Sequence, residues 1–179
     1  MLEIKSVRME VSADANIVVG QAHFIKTVED LYEAVATTVP QARFGLAFNE
    51  SSGACLTRSE GNDPTLQNTA TRNAQALACG HTFVLMLQNA YPINLLNAIR
   101  NVPEVCSIFC ATANPVEIIV AESEQGRGVL GVAGRFGERG KEQEIGSGPK
   151  RRKHKWVAAH ERQQGKHPDG DEAIHEHVE

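Results

Sequence analysis

Apolar residues recur at every second position near the start of the chain, at every third or fourth position after residue 27, and in an unbroken run past residue 81. Leu2, Ile4, Val7, Met9 and Val11 predict an opening strand with a slip between its halves. Residues 17–24 predict a second, after the turn-forming Ser12-Ala13-Asp14-Ala15-Asn16. The two are expected to pair as a hairpin. Val28, Leu31, Tyr32 and Val35 lie on one stripe at helical spacing, which predicts a helix over residues 27–39 that Pro40 ends. Residues 44–48 read as a short strand. Asp63 before Pro64 joins a favoured N-cap to the proline preferred at a first helical position, so a second helix is expected from there to Gly80. The run TFVLML behind His81 predicts an interior strand. A shorter helix over 92–101 and strands over 105–112, 116–121 and 128–132 complete the pattern. Strands alternate with helices in the middle and follow one another at both ends. The fold class is therefore α/β of the mixed α+β kind: a single mixed sheet, about three helices packed on it, and a hairpin at each end.

Composition changes this picture in one place. From residue 139 onward the chain carries nine Lys or Arg, eight Asp or Glu and five of the seven His, while all four Cys and all six Phe precede it. Such a segment cannot bury enough apolar surface to build a core, so residues 1–136 are read as the folded domain and 137–179 as a charged, disordered tail. A net charge of −4 argues against a general nucleic-acid binder. No apolar run approaches the roughly 20 residues of a bilayer-spanning helix, and the N-terminus lacks a secretory profile, so no membrane partner is expected. The four cysteines form no CxxC pair and read as free thiols in a reducing compartment, hence a cytoplasmic protein. Cys106 and Cys110, four apart in a predicted strand, are expected on one face of it.

Three polar stretches could carry chemistry. His23 and Lys26 flank the predicted start of the first helix, where Thr27 and Asp30 resemble a capping box. A helix start presents unpaired N–H groups and a partial positive charge, and Lys26 adds a full one. A phosphate would be favoured there, beside an imidazole able to accept a phosphoryl group. The plainer account makes His23 a strand-end residue and Lys26 a solvated one, and spacing alone prefers it. The second stretch is the polar loop predicted from Arg58 to Asp63. Arg58 is suited to phosphate, and Glu50, Glu60 and Asp63 are candidate ligands for Mg²⁺, against a simple helix cap by Asp63. Third come the turns at Asn114-Pro115 and Gly126-Arg127-Gly128, where backbone can approach a ligand closely, although ordinary β-turns explain both. His81 is an alternative phosphoryl acceptor, weighed against a histidine satisfied by the carbonyls of the preceding helix. No Gly-x-x-x-x-Gly-Lys-Ser/Thr loop occurs.

In order along the chain, GQAHFIKTVEDLYEA, RFGLAF, RSEGND, NAIRNVPEVCSIFCATANPVEIIVAE and EQGRGVLGV resemble the adenosine-specific kinase family over nearly all of residues 1–135. The resemblance implies phosphoryl transfer involving adenosine, a histidine that carries phosphate, a site for adenosine or AMP, and a compact α/β subunit in a homo-oligomer, a trimer among the options. By position it makes His23 the first choice for the phosphorylated residue and His81 the second. Lys26, Arg58 and Arg127 fall in matching segments, as do Glu60, Asn62 and Asp63 of the EGND loop and Asn114 of the ATANP turn. Ala22 stands where the pattern leads one to expect Ser, and after Val132 the sequence leaves the family pattern. A non-catalytic adenosine or AMP sensor, or an oligomeric scaffold, is the alternative.

Overall fold

Ile17, Val18 and Val19 are fully buried in succession, as in a strand covered on both faces. The computed structural model describes residues 1–134. Its elements run β1 (Glu3–Arg8), β2 (Asn16–Ala22), α1 (Thr27–Thr38), β3 (Arg43–Asn49), β4 (Thr57–Gly61), α2 (Pro64–Leu77), β5 (Thr82–Gln88), a 3₁₀ turn (Pro92–Asn94), α3 (Leu96–Arg100), β6 (Val105–Thr112), β7 (Val116–Ser123) and β8 (Gly126–Gly134). The expected tail, 137–179, lies outside the described residues.

The mixed class holds, but there are two sheets rather than one: five strands in the order β4-β3-β5-β2-β6, and three in the order β1-β7-β8. All their ladders are antiparallel. The hairpin expected between the first two strands does not form. β2 has β5 on one edge and β6 on the other, so no edge is left for β1, which pairs with β7 instead.

The alternation of side chains across the five-stranded sheet divides the core in two. Phe44, Leu46, Phe48, Phe83, Leu85 and Leu87 pack with Val28, Leu31 and Val35 of α1 and Ile99 of α3. Ile17, Val19, Ala47, Val84 and Met86 face Leu66, Ala70 and Ala74 of α2 together with Val116, Ile118 and Val120 of the smaller sheet. α2 lies so close to β3 that a Cβ on Gly45 would stand 2.0 Å from the backbone nitrogen of Gln67.

Other departures are local. α2 stops at Leu77, short of Gly80, because Ala78 turns left-handed (φ 49°). The third helix breaks into the 3₁₀ turn and α3, and part of the polar loop read from Arg58 is the edge strand β4. The shared face expected of Cys106 and Cys110 does not follow from their spacing. The ladder of β2 with β6 slips twice, between Val19↔Cys110 and Gly20↔Ile108 and between Gln21↔Ser107 and Ala22↔Val105, so Phe109 and Cys106 are the extra residues and the regular alternation is lost. All four cysteines are free.

Candidate functional site

Register brings the two candidate histidines together. β2 and β5 pair up to Gln21↔Thr82, and one step further the Ala22 N–H donates to the His81 carbonyl at 2.9 Å. The His23 N–H donates to the Glu104 carbonyl (2.9 Å) and the His81 N–H to the Asn49 carbonyl (2.8 Å), so the ends of β2 and β3 and the start of β5 are stitched at one point. The imidazoles stack there, centroids 4.4 Å apart and planes 21° from parallel. Nδ1 of His81 is buried without a hydrogen-bond partner. That leaves Nε2 as the nitrogen of this ring able to meet a ligand. Both His81 (φ 62°) and Phe24 (φ 74°) are in the left-handed region, which costs a bulky residue energy and persists only where surrounding structure enforces it.

The start of α1 differs from the capping box read in the sequence. Thr27 is fully buried as the first helical residue rather than the cap, and its hydroxyl points back, donating to the carbonyls of Phe24 (2.7 Å) and His23 (3.0 Å). Lys26 is the N-cap residue, with no side-chain cap. Its ammonium is bonded to Asp30 at 2.6 Å rather than held out for a ligand. That bond raises the Lys26 pKa and lowers that of Asp30.

Two cavities meet at this point. One, about 510 Å³, is lined by His23, Phe24, Ile25, Lys26 and Phe48; the other, about 950 Å³, by Asn49, Thr57, Ser123, Gln125 and Arg127 among others. Glu50, Ser51 and His81 line both and form their common wall. Ser51 is seated on Gly80, where a Cβ would stand 1.8 Å from its Oγ. The cations around the cavities are balanced. Arg58 donates to Glu29 (2.8 Å) and to the Ile25 carbonyl (3.3 Å), with Glu50 at 3.8 Å. Arg127 donates to Glu122 at 2.8 Å, and Glu122 also accepts from Lys5 at 2.6 Å. The Lys5 bond first, then that of Arg127, holds the Glu122 carboxyl below the usual carboxylate range.

His23, Lys26, His81 and Arg127 thus converge, with Arg58 joined to them through Glu50. Glu60, Asn62, Asp63 and Asn114 line neither cavity. Asp63 caps α2 through the Leu66 N–H and is ion-paired with Arg43. Asn62 accepts from the Phe44 N–H and donates to the Ala42 carbonyl, pinning the chain before α2. Glu60 is an exposed residue of the edge strand, and Asn114 an exposed turn residue whose N–H is held by Thr112. The Mg²⁺ set read from Glu50, Glu60 and Asp63 does not assemble: Asp63 is occupied by its cap and Arg43, and among the described residues no group of three His, Cys, Asp or Glu is placed to hold a metal. Ala22 is fully buried against the α1 layer, so a hydroxyl there would face core rather than ligand.

Sequence reasoning missed Phe24 and Ser51. A left-handed Phe carries no local sequence signal, and Ser51 owes its place to Gly80, 29 positions away, whose lack of a side chain was the one available clue.

No helix among the described residues is long and apolar enough to cross a membrane. No curated protein matches the sequence. Among solved structures the chain resembles the PH1918 protein of Pyrococcus horikoshii OT3, at 38% identity and a TM-score of 0.74, over 94% of this chain and 100% of that one. The profile of the family described as adenosine specific kinase matches residues 7–156. With most of its length inside that profile, the chain belongs to the adenosine-specific kinase family.

Proposed function

We propose that the protein transfers a phosphoryl group to adenosine through a phosphorylated imidazole at the common wall of the two cavities. The observation that carries this reading is the stacked pair of His23 and His81, of which His81 lines both cavities and His23 only the smaller. A carrier takes the group from one ligand and, once that ligand has left, gives it to the next. His81 lies where the two cavities adjoin and is reached from either, so it ranks ahead of His23, reversing the order implied by the resemblance. In the first step the Nε2 lone pair of His81 attacks the terminal phosphorus of a phosphoanhydride such as ATP. The bond from phosphorus to the bridging oxygen breaks, and its electron pair leaves with the donor. In the second, an adenosine hydroxyl oxygen attacks the same phosphorus, the P–N bond breaks toward the ring, and the hydroxyl proton passes to the Glu50 carboxylate. Arg127 lines the larger cavity and can exchange its carboxylate partner for phosphate oxygens, while Arg58 holds Glu50 from outside both cavities.

Incubation with γ-labelled ATP tests this directly. The expected result is acid-labile, base-stable label on the protein that adenosine discharges as AMP. His81→Asn should lose it, since Asn tolerates the left-handed backbone and cannot carry the group. Label or turnover surviving in His81→Asn overturns the assignment. A sensor of adenosine or AMP is the second reading, favoured by Lys26, Arg58 and Arg127 each already having a carboxylate partner. Tight AMP binding without label from any donor would decide for it.

A homo-oligomer is part of the proposal. It is supported by Leu2 and Ile4, 66% and 68% exposed at the edge of the three-stranded sheet, and is checked by sedimentation.

A further inference from the structure

We propose that the Phe24 ring, with Ile25 beside it, is the platform on which the adenine base stacks, so that the base occupies the smaller cavity while the ribose and phosphoryl end passes His81 into the larger one. This rests on the reading of the protein as an adenosine phosphotransferase, and adds to it an orientation and a specificity residue.

Two unfavourable features coincide at Phe24. Its ring is 75% exposed and its backbone is left-handed, at φ 74°. A phenylalanine gains stability by burial and loses it at positive φ, so folding alone would select neither. The conformation is nevertheless enforced, because buried Thr27 holds the Phe24 carbonyl through its hydroxyl (2.7 Å) and its N–H (3.3 Å). An enforced outlier at the edge of a cavity points to use by a ligand.

The cavity it borders suits one half of adenosine. Phe24, Ile25, Phe48 and the two imidazoles supply flat or apolar lining, with the Ser52 hydroxyl for a polar edge. The larger cavity has Arg127, Ser123, Asn49 and Gln125 instead. A purine has apolar faces and a polar rim, whereas a ribose with its phosphoryl group is polar throughout. The two unlike cavities match the two unlike halves, and about 510 Å³ is within the ordinary range for a small-ligand pocket.

Titration calorimetry of the full chain with adenosine, on wild type, Phe24→Gly and Phe24→Trp, tests the assignment. Glycine removes the ring and adopts positive φ freely, so that variant should melt no lower than wild type. Its affinity for adenosine should fall about 10- to 100-fold, the scale of one base–aromatic stack, while Phe24→Trp stays within about threefold of wild type. Phe24→Gly binding within twofold of wild type, or Phe24→Trp as weak as Phe24→Gly, overturns the platform and leaves the phosphotransferase reading standing. Wild type that binds no adenosine brings down both.

Discussion

Two helices in this protein begin just after a strand or its end loop, and both beginnings carry polar residues that look equally chemical in the sequence. At α2 every such group is used by the fold: Asp63 caps the helix and pairs with Arg43, Pro64 takes the first helical position, and Asn62 bonds two backbone groups. At α1 the cap is missing, Phe24 is exposed and left-handed, and the imidazole stacked on His23 keeps a buried nitrogen without a partner. Residue type does not separate a structural polar cluster from a reactive one. What separates them is whether the hydrogen bonds and burial are already spent within the chain.

The sharpest way to break this contrast is to remove the proposed phosphoryl carrier on the α1 side. His81→Asn is expected to lower adenosine phosphorylation by about 10³-fold with little change in melting temperature, a size typical of losing a group that acts directly on the transferred atom. Loss of activity together with a large drop in melting temperature would make His81 structural, and α1 and α2 would then be alike.

On the α2 side the largest effect should come from Gly45→Ala. The added Cβ would meet the Gln67 backbone at 2.0 Å, which no side-chain rotation relieves. Separation of α2 from β3 should cost about 2–3 kcal/mol in denaturant unfolding. Tolerance of alanine within a few tenths of a kcal/mol would show that the seat of α2 is loose.

A smaller loss, about 1–2 kcal/mol, is expected from Asp63→Ala, which removes the cap, with adenosine affinity unchanged in the folded fraction. Asp63 also predicts a pH dependence. The Leu66 N–H, and after it Arg43, hold the Asp63 pKa below its ordinary value. A lowered folded-state pKa contributes stability that is present above about pH 4, the unfolded carboxylate value, and lost as pH falls through the folded one. Asp63→Asn keeps a capping oxygen and should flatten that part of the acid unfolding curve. An unchanged acid limb in Asp63→Asn would mean that other carboxylates set it.

Most elements of this fold could be read from the pattern of Val28, Leu31 and Val35 or from Asp63-Pro64, because helix stripes and caps are local signals. The division into two sheets could not. Whether β1 pairs with β2 or with β7 depends on which strand edges are already taken, and no periodicity within β1 records that. The site was legible to the same extent: His23 and His81 each stood out, but their stacking follows from the β2–β5 register, a contact between residues 58 apart in sequence. Asn62 bonds the Phe44 N–H and the Ala42 carbonyl and Asp63 pairs with Arg43, partners that became visible only with β3 in place, while Glu60 lies exposed on the edge strand.

The smallest effect expected is also the one that tests the α1 start most closely. Lys26 pairs with Asp30 across one helical turn, and its side chain is 71% exposed, so the ion pair is screened and contributes little to folding. Lys26→Ala should therefore shift the melting temperature by no more than about 1 °C. If the ammonium leaves Asp30 to meet a phosphate, AMP affinity should fall a few-fold, about the effect of one exposed charge contact, while adenosine affinity stays the same. Comparing the two ligands in one variant removes any general damage to the cavity from the result. Equal losses for adenosine and AMP would place Lys26 with Asp63, as a residue whose charge serves the helix and not the ligand.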